Sequence, residues 1–311
     1  TVTGMGRGAG NTETELLLRS VKEMHKVNRY SAKPILKLAT LYFDRMKDQY
    51  GWGVNSSYFL GALYSIHPTY IQRLLSDPHF EEEDVLNFLE YAKNYDLTKF
   101  SAIDYESFKV NALSEGTGLS GQTLSYGVFG DEVILIGGGP SIKSRKEHIL
   151  EYVRLSKLTT ITVNMVDSLN GSLIDYIVMS KNPRFHRDMD RYRSPKQKVI
   201  APHNRLSVTE LKYIKKAYDY QLRVGRELVL DENGCTIPYD MTSLYAICLL
   251  ISKGVKKINL LGFDGYKIND IRSKEMQDSL DMIMEQFSEV EIVSLLPTTY
   301  NIQQASLYEK I

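Results

Sequence analysis

The sequence predicts an α/β protein in which a helical N-terminal segment precedes a mostly parallel, doubly wound sheet. The first ~110 residues place apolar side chains at helical spacing, whereas the remainder alternates short β-branched runs with helical patterns. A stretch rich in glycine and serine, 112–127, separates the two patterns. We therefore expect a helical segment over 1–111, a linker over 112–127 and an α/β domain over 128–311.

Composition narrows the class of protein. The chain has 311 residues, of which 43% are hydrophobic and 24% are charged, as in a folded protein of two domains. The 38 basic residues equal the 38 acidic ones, which argues against a nucleic-acid partner. No apolar run is long enough to span a bilayer. Two cysteines without metal-ligand spacing indicate reduced thiols and a cytoplasmic location.

Caps and apolar spacing predict the N-terminal helices. Thr12 and Glu15 form a capping box before an apolar run, and a second helix is expected over 31–49. Later helices are expected over 55–64, from Pro68, and after the acidic run 81–84. Two apolar faces are predicted, on the second and last of these helices: Ile35, Leu38, Ala39 and Tyr42, and Val85, Phe88, Leu89 and Ala92.

In the second half, strands and helices alternate. Helices of this length between the strands imply a parallel sheet covered on both faces, and ligands of such sheets bind beyond the carboxyl ends of the strands. The expected strands are 132–136, 159–163, 175–180, 198–201, 257–262 and 290–295, and the expected helices are 143–156, 241–253 and 271–287.

The strongest local signal is the turn that follows the first of these strands. The turn consists of Gly137, Gly138, Gly139, Pro140 and Ser141. Glycines let the backbone approach a ligand closely, and a helix start offers free N–H groups to phosphate. Ser141 can cap the helix or donate to an anion. The alternative is a tight turn without a ligand; we expect nucleotide binding.

Three further polar positions accompany this turn. Asn164 ends the second strand and can bond a ribose or a base, or serve as a turn residue. Thr242 and Ser243 open a helix, as a cap or as a second anion contact. Asp264 follows a later strand and can hold a ribose, hold Mg²⁺ through the phosphates, or form only a turn. We expect these positions to meet in one crevice.

The N-terminal half resembles a known family. The run 4–11, Gly-Met-Gly-Arg-Gly-Ala-Gly-Asn, precedes a helix and either binds an anion or packs a strand end against that helix. It resembles the last barrel strand and following helix of the 4-hydroxy-2-oxovalerate aldolase family, and 52–60 and His67-Pro68 look like the helical tail after that TIM barrel. The resemblance implies that 1–111 ends an aldolase and that the chain is part of a longer protein. That family's catalytic Arg-Asp pair and His-x-His ligands lie upstream of the motif, so the aldolase metal is not bindable here, and lyase activity requires the rest of the barrel.

The second half also carries a resemblance. Segments 136–141, 242–248 and 260–266 resemble bacterial sialyltransferase-like and hydroxymethylpterin-pyrophosphokinase-like proteins with a Rossmann-like fold. In the sialyltransferases such segments bind the donor nucleotide CMP, and those roles would map to Gly139, Ser141, Asn164, Thr242 and Ser243.

The chain departs from the sialyltransferase pattern at two places. Gly138 stands where an Asn is common, and no His follows His203, although that family's catalytic His comes late. The catalytic residue is therefore unassigned, with Asp264, Tyr266 and Tyr300 as candidates.

Together the resemblances imply a transferase with a CMP-type nucleotide-sugar donor and a carbohydrate acceptor, acting beside an aldolase in bacterial surface polysaccharide biosynthesis. One alternative is a Mg²⁺-dependent pyrophosphokinase-type transferase relying on Asp264. Another is a non-catalytic nucleotide-binding or assembly module attached to an aldolase. Whether the chain forms a homo-oligomer is left open.

Overall fold

A computed structural model describes residues 1–6, 10–26, 31–53, 55–80, 82–105, 119–166, 169, 171–180, 197–214, 217–267 and 269–309. The chain divides into two compact units, Thr1–Ala112 and Leu113–Ile311.

The first unit is helical, as expected. Asn55 caps one helix by accepting a hydrogen bond from the Tyr58 amide at 2.8 Å, and Pro68 opens the next. Its elements are α1 (Thr14–His25), α2 (Lys33–Leu38), a π-helical turn (Ala39–Phe43), α3 (Asp44–Tyr50), α4 (Ser56–Leu63), α5 (Pro68–Ser76) and α6 (Glu82–Ala92).

The core of this unit lies between α4, α5 and α6. The predicted face of α6 is confirmed, since Val85, Phe88, Leu89 and Ala92 are all buried in that core. The predicted stripe on the second helix is wrong: Ala39 is buried, but Leu38 and Tyr42 are 47% and 60% exposed. Helical spacing identifies a common face, but burial needs a neighbouring element to cover it.

Two other local expectations for this unit also have an outcome. The capping box is wrong, because α1 begins at Thr14 after Glu13, and the buried Glu15 carboxylate accepts a hydrogen bond from the Thr3 amide at 2.7 Å. In the run 4–11, of which 7–9 lie outside the described residues, the Asn11 amide donates to the Gly4 carbonyl at 3.2 Å. A Cβ on Gly10 would lie 3.0 Å from that same carbonyl oxygen. These contacts support the packing interpretation of the motif.

The second unit alternates strands and helices. Every strand expected from the sequence is present, although the expected helix 143–156 is divided at Arg145. The elements are β1 (Glu132–Ile136), α7 (Ser141–Ser144), α8 (Lys146–Ser156), β2 (Thr159–Val163), β3 (Tyr176–Val178), β4 (Lys198–Ala201), α9 (Val208–Tyr213), β5 (Ala217–Asp219), β6 (Gln221–Val224), β7 (Val229–Leu230), β8 (Gly234–Ile237), α10 (Thr242–Ser252), β9 (Lys257–Leu261), α11 (Ile271–Gln286), β10 (Glu291–Ser294) and β11 (Gln303–Gln304).

The main sheet has eight parallel strands in the order β11-β10-β9-β1-β2-β3-β4-β5. In register, β1 lies between β2 and β9, with Leu135 opposite Ile161 on one side and Leu260 on the other. Beside it, β6, β8 and β7 form a small sheet that the sequence did not predict, in which β7 and β8 are antiparallel. Two of these strands, Gln221–Val224 and Gly234–Ile237, interleave polar and apolar residues, and the third, Val229–Leu230, has two residues, so none shows the apolar run that marked the expected strands.

Helices cover both faces of the main sheet. On one face Val133 and Leu135 pack in a large core with α10, whose residues from Leu244 to Leu250 are all buried. On the other face Ile134 and Ile136 pack with Ile149 of α8. The even and odd positions of β1 thus face opposite layers, which confirms the doubly wound α/β class.

The start of this unit overlaps the expected linker. Residues 112–118 lie outside the described residues. From Gly121 onward the backbone follows β5: the Gly121 amide donates to the Asp219 carboxylate at 2.9 Å, and the Asp219 amide donates to the Gln122 carbonyl at 2.8 Å. Leu124 is buried in the main core. Among the described helices, none combines the length and apolar character that a membrane span requires.

Candidate functional site

The sheet order brings the predicted polar positions to one edge. β9, β1, β2 and β3 are consecutive neighbours, so their carboxyl ends lie side by side. The chain runs outward from β1 through β2 in one direction and from β9 through β10 in the other. The order therefore reverses between β1 and β9, and such a reversal opens the crevice in which doubly wound sheets bind ligands. The glycine turn and Asp264 follow the two strands that flank this point, and Asn164 follows β2.

The glycine turn is joined to the end of β9 by four hydrogen bonds. The amides of Gly137 and Gly139 donate to the carbonyls of Leu261 and Gly262 at 2.8 and 2.9 Å. Ser141 donates twice to the Asp264 carboxylate, from its amide at 3.1 Å and from its hydroxyl at 2.7 Å. The donors that the sequence assigns to a ligand anion therefore hold a carboxylate of the chain itself.

The glycines of this turn differ in what surrounds them. A Cβ on Gly139 would lie 1.9 Å from a carboxylate oxygen of Asp264 and 2.6 Å from the Gly262 carbonyl oxygen. A Cβ on Gly137 would lie 2.7 Å from that same carbonyl oxygen. Gly138 is exposed, and a Cβ there would meet no atom within 4 Å. Gly137 and Gly139 are thus required by internal packing, whereas the backbone of Gly138 is open, next to the exposed Pro140.

Asn164 has an unusual backbone and an unsatisfied side chain. Its φ is 62°, in the left-handed region that asparagine tolerates better than most residues. The residue is 4% exposed, and its backbone amide donates to the Val178 carbonyl at 2.8 Å. Its side-chain Oδ1 has no hydrogen-bond partner in the described residues. A buried polar atom without a partner costs free energy, so it is a position where a ligand group is expected.

The N-terminus of α10 lies at the same edge. The hydroxyls of Ser180, just after β3, and Thr242, the first residue of α10, are 2.7 Å apart and buried. Met241 occupies the N-cap position and makes no side-chain capping bond. Thr242 is the first residue inside the helix and therefore does not cap it, as the sequence had allowed. Ser243 donates to the Met276 sulfur at 3.5 Å. Sequence reasoning missed Ser180, because the expected strand 175–180 included it as its last residue, whereas β3 ends at Val178.

The three candidate catalytic groups have different surroundings. Asp264 is half-buried and is bonded to Ser141. Tyr266 is 37% exposed, and the Arg272 guanidinium lies 4.4 Å from its ring centre. Tyr300 is 6% exposed, and burial raises its pKa above the ordinary value. A raised pKa keeps the phenol protonated, which suits proton donation better than proton abstraction.

A second polar cluster, absent from the sequence predictions, lies beyond β4 and β5. Arg205 and Asp240 form an ion pair at 2.9 Å, with side chains only 7% and 16% exposed. The His203 amide donates to Asp219 at 3.0 Å, its ring Nε2 is buried without a described partner, and burial lowers its pKa despite the nearby Asp219 carboxylate. These pairs join residues 16 and 35 positions apart, which no local pattern reveals.

Within the described residues, no group of three or more His, Cys, Asp or Glu side chains is placed to hold a metal ion. The Mg²⁺ alternative therefore gains no support from the geometry around Asp264.

No protein-family model matches the chain, and no curated protein matches it. Among solved structures it is similar to the sialyltransferase CstII from Campylobacter jejuni. For the CstII structure in complex with the substrate analogue CMP-3FNeuAc, the sequence identity is 12%, the match covers 56% of this chain and 87% of that chain, and the TM-score is 0.31. For the complex with cytidine-5'-monophosphate, the identity is 13%, the match covers 58% of this chain and 87% of that chain, and the TM-score is 0.36. For a mutant of α-2,3/8-sialyltransferase CstII, the identity is 14%, the match covers 53% of this chain and 81% of that chain, and the TM-score is 0.32. These identities and TM-scores are below those from which a shared function follows.

Proposed function

We propose that the second unit binds a nucleotide-activated sugar at the carboxyl edge between β9 and β3 and transfers the sugar to an acceptor. The observation that carries the proposal is the reversal of strand order between β1 and β9, with the open backbone of Gly138 on one side and the unpartnered Oδ1 of Asn164 on the other. Open backbone and an unsatisfied polar group beside a topological switch point are what a nucleotide site requires.

The contacts suggest which part of the nucleotide each element holds. Because Asp264 already occupies the donors of Ser141, we assign the phosphate to the start of α10, an 11-residue helix without a side-chain cap. The nucleoside would then lie over Gly138, with ribose hydroxyls donating to Asp264 and the Oδ1 of Asn164 accepting a hydrogen bond from the ribose or base. The preference for a cytidine nucleotide comes from the sequence resemblance of segments 136–141, 242–248 and 260–266.

A thermal-shift panel tests this function. The ligands are CMP, CDP, UDP, ATP and GTP, each with and without Mg²⁺. A ligand at 100 times its dissociation constant stabilises by about 2.7 kcal/mol, which raises the melting temperature of a unit of this size by roughly 5–10 °C. We expect such a shift with CMP and without metal. A shift with ATP that requires Mg²⁺ would favour the pyrophosphokinase alternative, and no shift with any nucleotide would overturn the proposal.

A pair of variants locates the site. Gly138→Val fills the open space over the turn and should abolish the CMP shift, whereas Ser144→Val adds the same side chain at an exposed position of α7 and should leave the shift intact. Equal shifts in both variants would place the nucleotide elsewhere. The melting temperature without ligand shows that both variants fold.

We also propose, from the resemblance of 4–11 and 52–60, that the first unit is the helical end of an aldolase whose product supplies the sugar for surface polysaccharide synthesis. The helices after His67 and the packed glycines of 4–11 are consistent with this proposal. The chain as given should release no pyruvate from 4-hydroxy-2-oxovalerate with a divalent metal ion present, because it contains no His-x-His motif of the kind that binds the family's metal. Measurable pyruvate would contradict that assignment.

A further inference from the structure

A cavity of about 410 Å³ lies one strand beyond the proposed nucleotide crevice. One wall is residues 295–297 after β10, another is residues 304–308 at the end of β11, and the third is Arg145 at the junction of α7 and α8. The volume falls within the range of ordinary small-molecule pockets. None of the residues that line it was assigned to the nucleotide, although the Arg145 amide donates to the Ser141 carbonyl at 2.9 Å and so links the two places.

Among the described residues that line the cavity, the one cation is Arg145. The Arg145 guanidinium donates to the Tyr308 hydroxyl at 2.8 Å, and its central carbon lies 5.8 Å from the centre of that ring. No described carboxylate forms an ion pair with Arg145. A guanidinium has five N–H donors and stays charged at any working pH. A carboxylate or a phosphate is the group that these donors bind in a bidentate manner.

The rest of the lining combines apolar residues with the polar side chains of Gln304 and Ser306. Leu295, Leu296 and Leu307 are each less than 5% exposed and belong to the core under α8. The ring of Tyr308 is 49% exposed and packs edge-on against His148, with ring centres 5.0 Å apart. A sugar ring presents C–H groups to an exposed aromatic ring such as that of Tyr308, while its hydroxyls bond to nearby polar side chains, which Gln304 and Ser306 supply here.

The walls are held in place without a ligand. The Ala305 amide donates to the Ser294 carbonyl at 2.9 Å, and the Leu307 amide donates to the Leu295 carbonyl at 3.1 Å, so the two strand ends are joined through their backbones. The Ser294 hydroxyl also donates to the Leu296 carbonyl at 2.7 Å. A preformed site loses little conformational entropy on binding.

We propose that this cavity binds a monosaccharide that carries one carboxylate or phosphate, with Arg145 on the anionic group and Tyr308 against the ring. Its place beside the crevice makes it the site of the acceptor, and that role rests on the proposed transferase function. The anionic sugar lies on the β10 side of β9, and the nucleotide lies on the β1 side.

Binding to the full chain tests the cavity directly. Titration calorimetry with glucuronate, glucose 6-phosphate and neutral glucose compares a carboxylate, a phosphate and an uncharged ring. We expect at least one of the two anionic sugars to bind and glucose to bind at least about tenfold more weakly, since a hydrogen bond to a charged group contributes that much. Failure of both anionic sugars to bind, or equal binding of glucose, would overturn the proposal.

Matched variants assign the binding to the cavity. Arg145→Gln and the neighbouring Lys146→Gln each remove one positive charge, but only Arg145 lines the cavity. Arg145→Gln should weaken the anionic sugar about tenfold or more, and Lys146→Gln should leave it unchanged. Equal affinities in the two variants would overturn the assignment. If Arg145-dependent sugar binding occurs while no nucleotide shifts the melting temperature, the cavity is a sugar site but the transferase function is wrong.

Discussion

Substitution of alanine at two adjacent glycines separates internal packing from ligand contact in the turn after β1. In Gly139→Ala the new methyl group would lie 1.9 Å from the Asp264 carboxylate and 2.6 Å from the Gly262 carbonyl oxygen. In Gly138→Ala it would meet no atom within 4 Å. The two variants differ by one position in sequence and by nearly everything in their surroundings.

The magnitude follows from the bonds that must move. The Asp264 carboxylate would have to leave Ser141, from which it accepts bonds at 3.1 and 2.7 Å, and the backbone at Gly262 would have to shift. A hydrogen bond to a charged group contributes about 1.5–3 kcal/mol and overpacking costs about 1–3 kcal/mol. Because Asp264 is only half-buried, we expect Gly139→Ala to destabilise the second unit by roughly 3 kcal/mol. Gly138→Ala should change its stability by less than about 0.5 kcal/mol.

Hydrogen exchange measures the second unit separately from the first. The amides of β1 and β9 exchange through opening of the second unit, whereas the fluorescence of Trp52, the single tryptophan, follows the first. In increasing urea, Gly139→Ala should lower the opening free energy of β1 and leave the Trp52 transition unchanged. Equal protection of β1 in the two variants would refute the packing between the glycine turn and Asp264.

Three other predictions concern the second unit. Arg205→Met should destabilise it by about 3 kcal/mol in urea unfolding, because the Asp240 carboxylate, only 16% exposed, would lose its partner. Combining Arg205→Met with Asp240→Leu should recover part of this loss of stability. No recovery in the double variant would argue against the ion pair. Burial lowers the pKa of His203, so its contribution to stability is complete above pH 6.5 and is lost as the pH falls through the lowered pKa. His203→Gln should therefore make the urea midpoint of unfolding depend less on pH in that range. An unchanged pH dependence in the variant would contradict this. Burial raises the pKa of Tyr152 from 10.0 to about 12. Stability should therefore fall between those pH values, because the tyrosine of the unfolded chain loses its proton first. Tyr152→Phe should reduce this fall, and an equally steep loss of stability in the variant would contradict the prediction.

The candidate site was predictable where one strand end carries the signal. The glycine turn, Asn164 and Asp264 each follow a strand that the sequence shows by its apolar run, and the parallel sheet places them on one edge. Arg145 gave no such signal, because its meaning depends on Tyr308, 163 residues later. The same holds for the ion pair of Arg205 and Asp240.

By itself, the sequence determined the class of fold and the edge of the sheet, at the carboxyl ends of the strands, where the candidate site residues lie. Alternating apolar runs and helical spacing are local properties, so the six strands that they show appear where they were expected, and the doubly wound layers follow from strand–helix alternation. Only the tertiary structure decided which donors are free. The order of the strands places β9 beside β1, and the Asp264 carboxylate therefore occupies Ser141, which leaves Gly138 as the open backbone of the turn. Hydrogen bonding across strands depends on partners more than a hundred residues apart, and no local pattern specifies which of them meet.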